Sequence, residues 1–196
     1  MNTEFEVKFL DVDFDDVRQK LKEIGAVCEQ PMRLMKRAIL DDPAGEMRKR
    51  EAFVRVRDEG DKITLTYKQF DGLSVDGAKE IETRVNNFAD TVKIFEAIGL
   101  GLNSIQETKR ETWKLGQSEV VLDEWPWLKP YIEIEGEGTE RVKEVASRLG
   151  FDWNDAVFGD VMAAYRAQYP HLNMDDIISS LPEVSFGMPL PDLLKV

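Results

Sequence analysis

The sequence predicts an α+β fold, a closed antiparallel sheet with helices on its outside and charge on its inside. Three observations support this. Strand-like segments alternate charged with apolar residues, their charges come as like-signed pairs two residues apart, and short amphipathic segments ending in glycine are interleaved among them. Successive strand side chains point to opposite faces, so each segment has one apolar and one ionic face. A polar face in water would explain any single strand. Like charges on one face repel unless something lies between them, and here acidic and basic strands are separate. Closing the sheet with its charged faces inward gathers both signs around one cavity.

The elements follow in order. Glu4-Phe5-Glu6-Val7-Lys8 places Glu4, Glu6 and Lys8 on one face and Phe5 and Val7 on the other. A helix is expected from Asp13 to Ile24, with Val17, Leu21 and Ile24 as its stripe, Asp13 as N-cap and Gly25 as stop. Lys36 to Asp41 reads as the second strand, and the pattern leaves open whether Lys36 or Arg37 turns inward. After a loop at Pro43–Glu46, Phe53 to Arg57 puts Arg55 and Arg57 on one face, and Ile63 to Lys68 gives Thr64, Thr66 and Lys68. A loop from Asp71 to Gly77 precedes Glu80-Ile81-Glu82-Thr83-Arg84, a carboxylate pair with a cation.

Asn87 to Ile98 is the second expected helix, with Val92, Phe95 and Ile98 on one side. Gln106 to Leu115 carries Lys109, Arg110 and Lys114 around Trp113, and Val120 to Leu122 runs into Asp123. In the loop Trp125-Pro126-Trp127-Leu128-Lys129-Pro130, a packed plug over one barrel end is favoured over stacking on a nucleotide base. Tyr131 to Glu135 gives the pair Glu133 and Glu135, and Thr139 to Leu149 is the third helix, with Val142, Val145 and Leu149 inward. Residues 154–168 read as helical. After Pro170 come a short helix from Met174 to Leu181 and a proline-rich end that wraps the barrel or is disordered. The chain thus divides into a main domain, 1–168, and an extension, 169–196.

The residue types point to a ligand. Arginine grips phosphate as a bidentate fork and lysine as a point charge. Paired carboxylates suit a hard divalent cation such as Mg2+ or Mn2+. No Gly-x-x-x-x-Gly-Lys-Ser/Thr loop is present, so P-loop chemistry is excluded.

The ordered series Glu4-x-Glu6-x-Lys8, Arg55-x-Arg57, Thr66-x-Lys68, Glu80-x-Glu82, Lys109-Arg110, Asp123 and Glu133-x-Glu135 resembles the CYTH family, the triphosphate tunnel metalloenzymes, over about residues 1–165. That family includes class IV adenylyl cyclases, thiamine triphosphatases and inorganic tripolyphosphatases. The resemblance implies an eight-stranded antiparallel tunnel with a triphosphate along its axis. It implies that Lys8, Arg55, Arg57, Lys68 and Arg110 grip phosphate and, with Glu4 and Glu6, form the catalytic set. Arg84 and Lys109 join the substrate-binding set. Glu4, Glu6, Glu80, Glu82, Asp123, Glu133 and Glu135 would hold one or two divalent ions, Mg2+ or Mn2+. Many members carry Lys-x-Arg where this chain has Thr108-Lys109-Arg110. Strand parity puts Thr108 and Arg110 on one face and Lys109 on the other.

The balance of 38 acidic to 26 basic residues, net −12, argues against nucleic acid or an anionic membrane as partner. Cys28 is the single cysteine, which excludes an internal disulfide and reads as a small buried residue in a reducing cytoplasm. His171 carries no expected chemistry. With no signal peptide and no long apolar run, the chain reads as a soluble cytoplasmic monomer or homodimer acting on a triphosphate-containing small molecule. Hydrolysis of that triphosphate is the leading expectation. Cyclisation of ATP to cyclic AMP and pyrophosphate, and polyphosphate binding without catalysis, are the alternatives.

Overall fold

The structure, a computed structural model, describes residues 1–174 and 176–195. Nine strands form one sheet: β1 (Asn2–Leu10), β2 (Val27–Asp41), β3 (Ala52–Asp58), β4 (Ile63–Phe70), β5 (Ala78–Val85), β6 (Gly101–Leu115), β7 (Ser118–Glu124), β8 (Tyr131–Gly136) and the two-residue β9 (Glu183–Val184). Their order is β2-β3-β4-β5-β1-β8-β7-β6-β9, and β2 also pairs with β6. That pairing, from Val27↔Lys114 to Asp41↔Gly101, closes eight antiparallel strands into the expected barrel. Five helices lie between strands in sequence: α1 (Phe14–Glu23), α2 (Glu46–Lys49), α3 (Phe88–Ala97), α4 (Thr139–Arg148) and α5 (Val161–Gln168).

Packing on the outside fixes which strand face turns inward. One apolar cluster joins Val7 and Phe9 of β1, Val120 and Leu122 of β7, and Ile132 and Ile134 of β8 to Val17 and Leu21 of α1 and Val142 and Val145 of α4. Another sets Ala38, Leu40, Val54 and Val56 against Val92 of α3. Burying these apolar side chains against helices is worth about 1.5–3 kcal/mol each. Since the period of a strand is two, the alternate residues, which carry the charges, must face the lumen. Asp13 caps α1 through Asp15 N and Asp16 N, and Asn87 caps α3 through Asp90 N, matching the expected starts. Ile98, expected on the buried stripe of α3, is exposed instead.

A third cluster seals one barrel end. Trp125 and Tyr131 pack with Met162 and Tyr165 of α5 and with Leu172, Ile178, Val184 and Leu194 of the tail, and Leu10 joins them. β9 runs parallel to β6 at Ile105 and Gln106, where β6 has no bond to β7. The tail thus covers an edge that strand pairing leaves open.

Several segments differ from expectation. The 154–168 helix begins only at Val161, because Val157 exchanges backbone bonds with Lys8 at 2.9 Å each and Asp160 then caps the helix. The 174–181 helix reduces to a 3-10 turn at Ile178–Ser180, and its residue 175 lies outside the described residues. Asp42 caps a short helix, α2, at the end of the expected 43–46 loop. Cys28, expected to be buried, is exposed on β2. Among the described residues no helix is long and apolar enough to cross a membrane.

The 71–77 loop completes β1, since Val75 O accepts from Glu6 N at 2.9 Å. It closes on itself at Gly77, where a Cβ would sit 2.3 Å from Gly72 O. Gly77→Ala is expected to cost about 1–3 kcal/mol of stability by forcing that loop apart. An unchanged thermal unfolding midpoint would contradict this account of the loop.

Candidate active site

A cavity of ≈ 350 Å³ runs inside the barrel. Its charges are sorted around the circumference. The adjacent strands β6, β2 and β3 contribute guanidiniums: Arg110, Arg37, Arg55 and Arg57. On the other side, β5, β1, β8 and β7 contribute Glu80, Glu82, Glu4, Glu6, Glu133, Glu135 and Glu119. The ammonium groups of Lys8 on β1 and Lys68 on β4 lie among the carboxylates.

The lysines are fixed by contacts on several sides. Lys8 Nζ lies 2.6 Å from Glu133 Oε1 and 3.5 Å from Glu6 Oε1, and donates to Gly159 O at 2.6 Å. Lys68 Nζ meets Glu4 Oε2 at 2.7 Å and Glu6 Oε2 at 3.0 Å. Burial alone would lower both lysines, but Glu133 and Glu6 outweigh it at Lys8, and Glu6 and Glu4 at Lys68, so both end above the usual value. Burial likewise works to raise Glu133, yet Lys8, Arg110 and Lys68 hold it well below the usual carboxylate range.

The arginines are less evenly matched. Arg110 forms a two-pronged pair with Asp123, Nε to Oδ1 at 2.7 Å and Nη2 to Oδ2 at 2.5 Å, and reaches Glu133 Oε2 at 3.1 Å. Arg57 meets Glu59 Oε1 at 2.7 Å, whereas Arg55 lies 3.7 Å from Glu80 and 3.9 Å from Glu82. The Nε groups of Arg37, Arg55 and Arg57 are buried with no hydrogen-bond partner among the described residues. Burial, then Arg55 and Arg110, depress Arg57 to about 10 despite Glu59 and Glu82. This arc therefore holds more positive charge than its own acids satisfy.

The opposite arc is crowded with negative charge. Glu6, Glu135 and Glu119 are direct neighbours across β1, β8 and β7. Desolvation, then Glu4, Glu119, Glu133 and Glu6, push Glu135 up to about 7; its side chain still meets solvent, so water screens part of that push. Among the described residues no three carboxylates already converge as a ready-made metal cage. The oxygen-only donor set nevertheless fits Mg2+ or Mn2+, which need only one or two carboxylates plus phosphate and water oxygens. Glu4, Glu6, Glu133 and Glu135 line the cavity as the carboxylates that would hold such an ion, with Glu80 and Glu82 also in the lining.

Three of the expected site residues lie elsewhere. Lys109 faces outward, paired with Glu124 at 3.0 Å and set against Phe186, so it leaves the substrate-binding set. Arg84 shares the parity of Glu80 and Glu82 but is exposed beyond the cavity lining. Asp123, expected among the metal ligands, is fully buried behind Arg110 and outside the lining, where both its carboxylate oxygens pair with that guanidinium. Lys36 lies outside over Phe88, which leaves Arg37 as the inward residue of its strand. Sequence reasoning missed Glu59, which follows β3 and holds Arg57 and Arg33, and Glu119, which shares the strand face of Asp123 four residues on and could have been found by that parity.

The CYTH domain family model matches residues 2–152. Among solved structures, the PH1012 protein of Pyrococcus horikoshii aligns at 23% identity and TM-score 0.65, covering 78% of this chain and 93% of its own. A Vibrio parahaemolyticus protein proposed as an adenylate cyclase aligns at 14% and 0.72, covering 82% and 96%. A Hippeastrum protein, a proposed adenylyl cyclase whose triphosphatase activity is dominant, aligns at 16% and 0.56, covering 84% and 96%. These three share the fold. No curated protein matches by sequence.

Removing one partner of a buried ion pair strands the other. Asp123→Ala is therefore expected to cost about 3–5 kcal/mol in chemical denaturation. A loss below about 1 kcal/mol, typical of an exposed pair, would contradict the buried clamp.

Proposed function

The chain belongs to the CYTH family, and on that premise we propose that it is a divalent-metal-dependent triphosphate hydrolase acting on tripolyphosphate, a nucleoside triphosphate or thiamine triphosphate. The observation that carries this reading is the arc of incompletely satisfied guanidiniums facing an arc of crowded carboxylates within one cavity. A phosphate chain supplies the anion that the first arc lacks, and a divalent cation relieves the second.

Arg55, Arg57 and Arg110, with Lys8 and Lys68, hold the phosphoryl oxygens and balance the charge that builds on the leaving diphosphate. A divalent ion on Glu4, Glu6, Glu133 and Glu135 would supply Lewis-acid charge to the same oxygens. Water attacks the terminal phosphorus, the bond to the bridging oxygen breaks, and a carboxylate of the acidic arc takes the water proton. Asp123 and Glu59 hold Arg110 and Arg57 in line for this step.

Cyclase chemistry also needs a platform for the base. Trp127 is half-buried against the third cluster and donates its Nε1–H to Met188 O, and Trp125 is buried beneath Arg37, so both indoles are engaged in packing the plugged end. This favours hydrolysis over cyclisation. The intact charged lining favours catalysis over binding alone. A cytoplasmic setting for the enzyme accords with its single free cysteine.

Incubation with tripolyphosphate, ATP and thiamine triphosphate under Mg2+ or Mn2+ is expected to release orthophosphate. Cyclic AMP, or no product, would contradict hydrolysis. Glu6→Gln and Arg57→Ala are each expected to lower turnover roughly 100-fold or more with the fold retained, as removal of a transition-state charge contact does. EDTA is expected to abolish turnover, and activity persisting in chelator would refute the metal requirement.

A further inference from the structure

Arg37 differs from every other cation of the cavity. It is 5% exposed, yet no acidic side chain pairs with it among the described residues. Its Nη2 donates to Thr108 Oγ1 at 2.8 Å, its Nε has no partner, and its guanidinium lies 4.5 Å from the Trp125 ring. Trp125 is itself buried with an unpartnered indole N–H, and both residues line the cavity. Two buried donors on facing residues therefore lack acceptors at one place. That place is the plugged end, since Trp125 belongs to the cluster that Met162, Tyr165, Ile178 and Leu194 build beyond the matched family region. Burial, then Arg55, Arg57 and Arg110, hold the Arg37 pKa well below its usual value, as expected where positive charge outruns its counter-charge.

We propose that Arg37, braced by the ring of Trp125, is a further anion-binding residue of the tunnel that takes an oxygen of the phosphoryl group lying deepest toward the plugged end. The inference rests on the triphosphate reading above and extends it by one residue. A purely structural arginine at this depth would be expected to carry a carboxylate partner, because a buried unpaired charge costs free energy. Thr108 offers only a neutral hydroxyl, so the charge is held ready for a ligand.

This gives opposite signs to two readouts. Replacing Arg37 removes an unpaired buried charge, so the free protein should gain stability. The same change removes a charge-assisted contact, so tripolyphosphate should bind at least ~10-fold more weakly.

The test measures thermal midpoints of wild type, Arg37→Met and Arg37→Met/Thr108→Lys in EDTA, with and without tripolyphosphate, and fits affinities from the shifts. Expected are a free midpoint for Arg37→Met at or above wild type, a smaller ligand-induced rise, and recovery of most of that rise in the double variant. The recovery follows because the new ammonium starts from the residue that Arg37 touches. Arg37→Gln, which keeps a donor for Thr108, repeats the comparison should the methionine fail to fold. Equal tripolyphosphate affinity in wild type and the Arg37 variants overturns the assignment alone. A free midpoint well below wild type in both overturns it in favour of a structural role. A wild-type protein that tripolyphosphate does not stabilise overturns the triphosphate reading and this assignment with it.

Discussion

Like charges held close together inside a protein wall are the constraint on which this structure depends. Four guanidiniums project from three adjacent strands, and seven glutamates from four others, all into one cavity. Neither arc is stable as an isolated patch. Lys8 and Lys68 bind into the acidic arc, while Asp123 and Glu59 anchor two of the four arginines. The remaining excess, positive on one side and negative on the other, is what a metal-bound polyphosphate would neutralise.

Apolar packing lies elsewhere in the molecule. Two apolar clusters lie between the barrel wall and the helices outside it, and the third fills one barrel end under the tail. The usual arrangement of a small barrel, apolar inside and polar outside, is reversed along most of the lumen. The fold can therefore keep a charged interior, because its packing does not depend on that interior. The net charge of −12 opposes approach of a polyanion at long range, so capture of one would rely on short-range contacts inside the wall.

Much of this was legible because strand parity is strict. Once Val7, Val56 and Ile134 are known to face the helices, Glu6, Arg57 and Glu133 must face the lumen, and the sequence pattern assigns all six. Parity failed where it had no anchor. Lys36 and Arg37 are followed by Ala38, Ile39 and Leu40, apolar at every position, and only the packing of Ala38 and Leu40 against α3 shows that Arg37 is the one turned inward. The same parity that points Arg110 inward turns Lys109 out to Glu124. Asp123 has inward parity but is consumed by Arg110, a pairing set by side-chain reach across strands. The tail was unreadable for another reason. Its proline-rich chain lacks periodicity, and its contacts with Trp125, β6 and Lys109 join residues far apart in sequence.

The central claim is that the two charged arcs together form one polyphosphate site. A crystal structure of the protein with tripolyphosphate and Mn2+ tests it most directly. The account predicts phosphorus density along the lumen, contacting Arg55, Arg57 and Arg110, with an anomalous manganese peak beside Glu4, Glu6, Glu133 and Glu135. A fully occupied ligand on the outer surface, with the lumen holding only water, would contradict it.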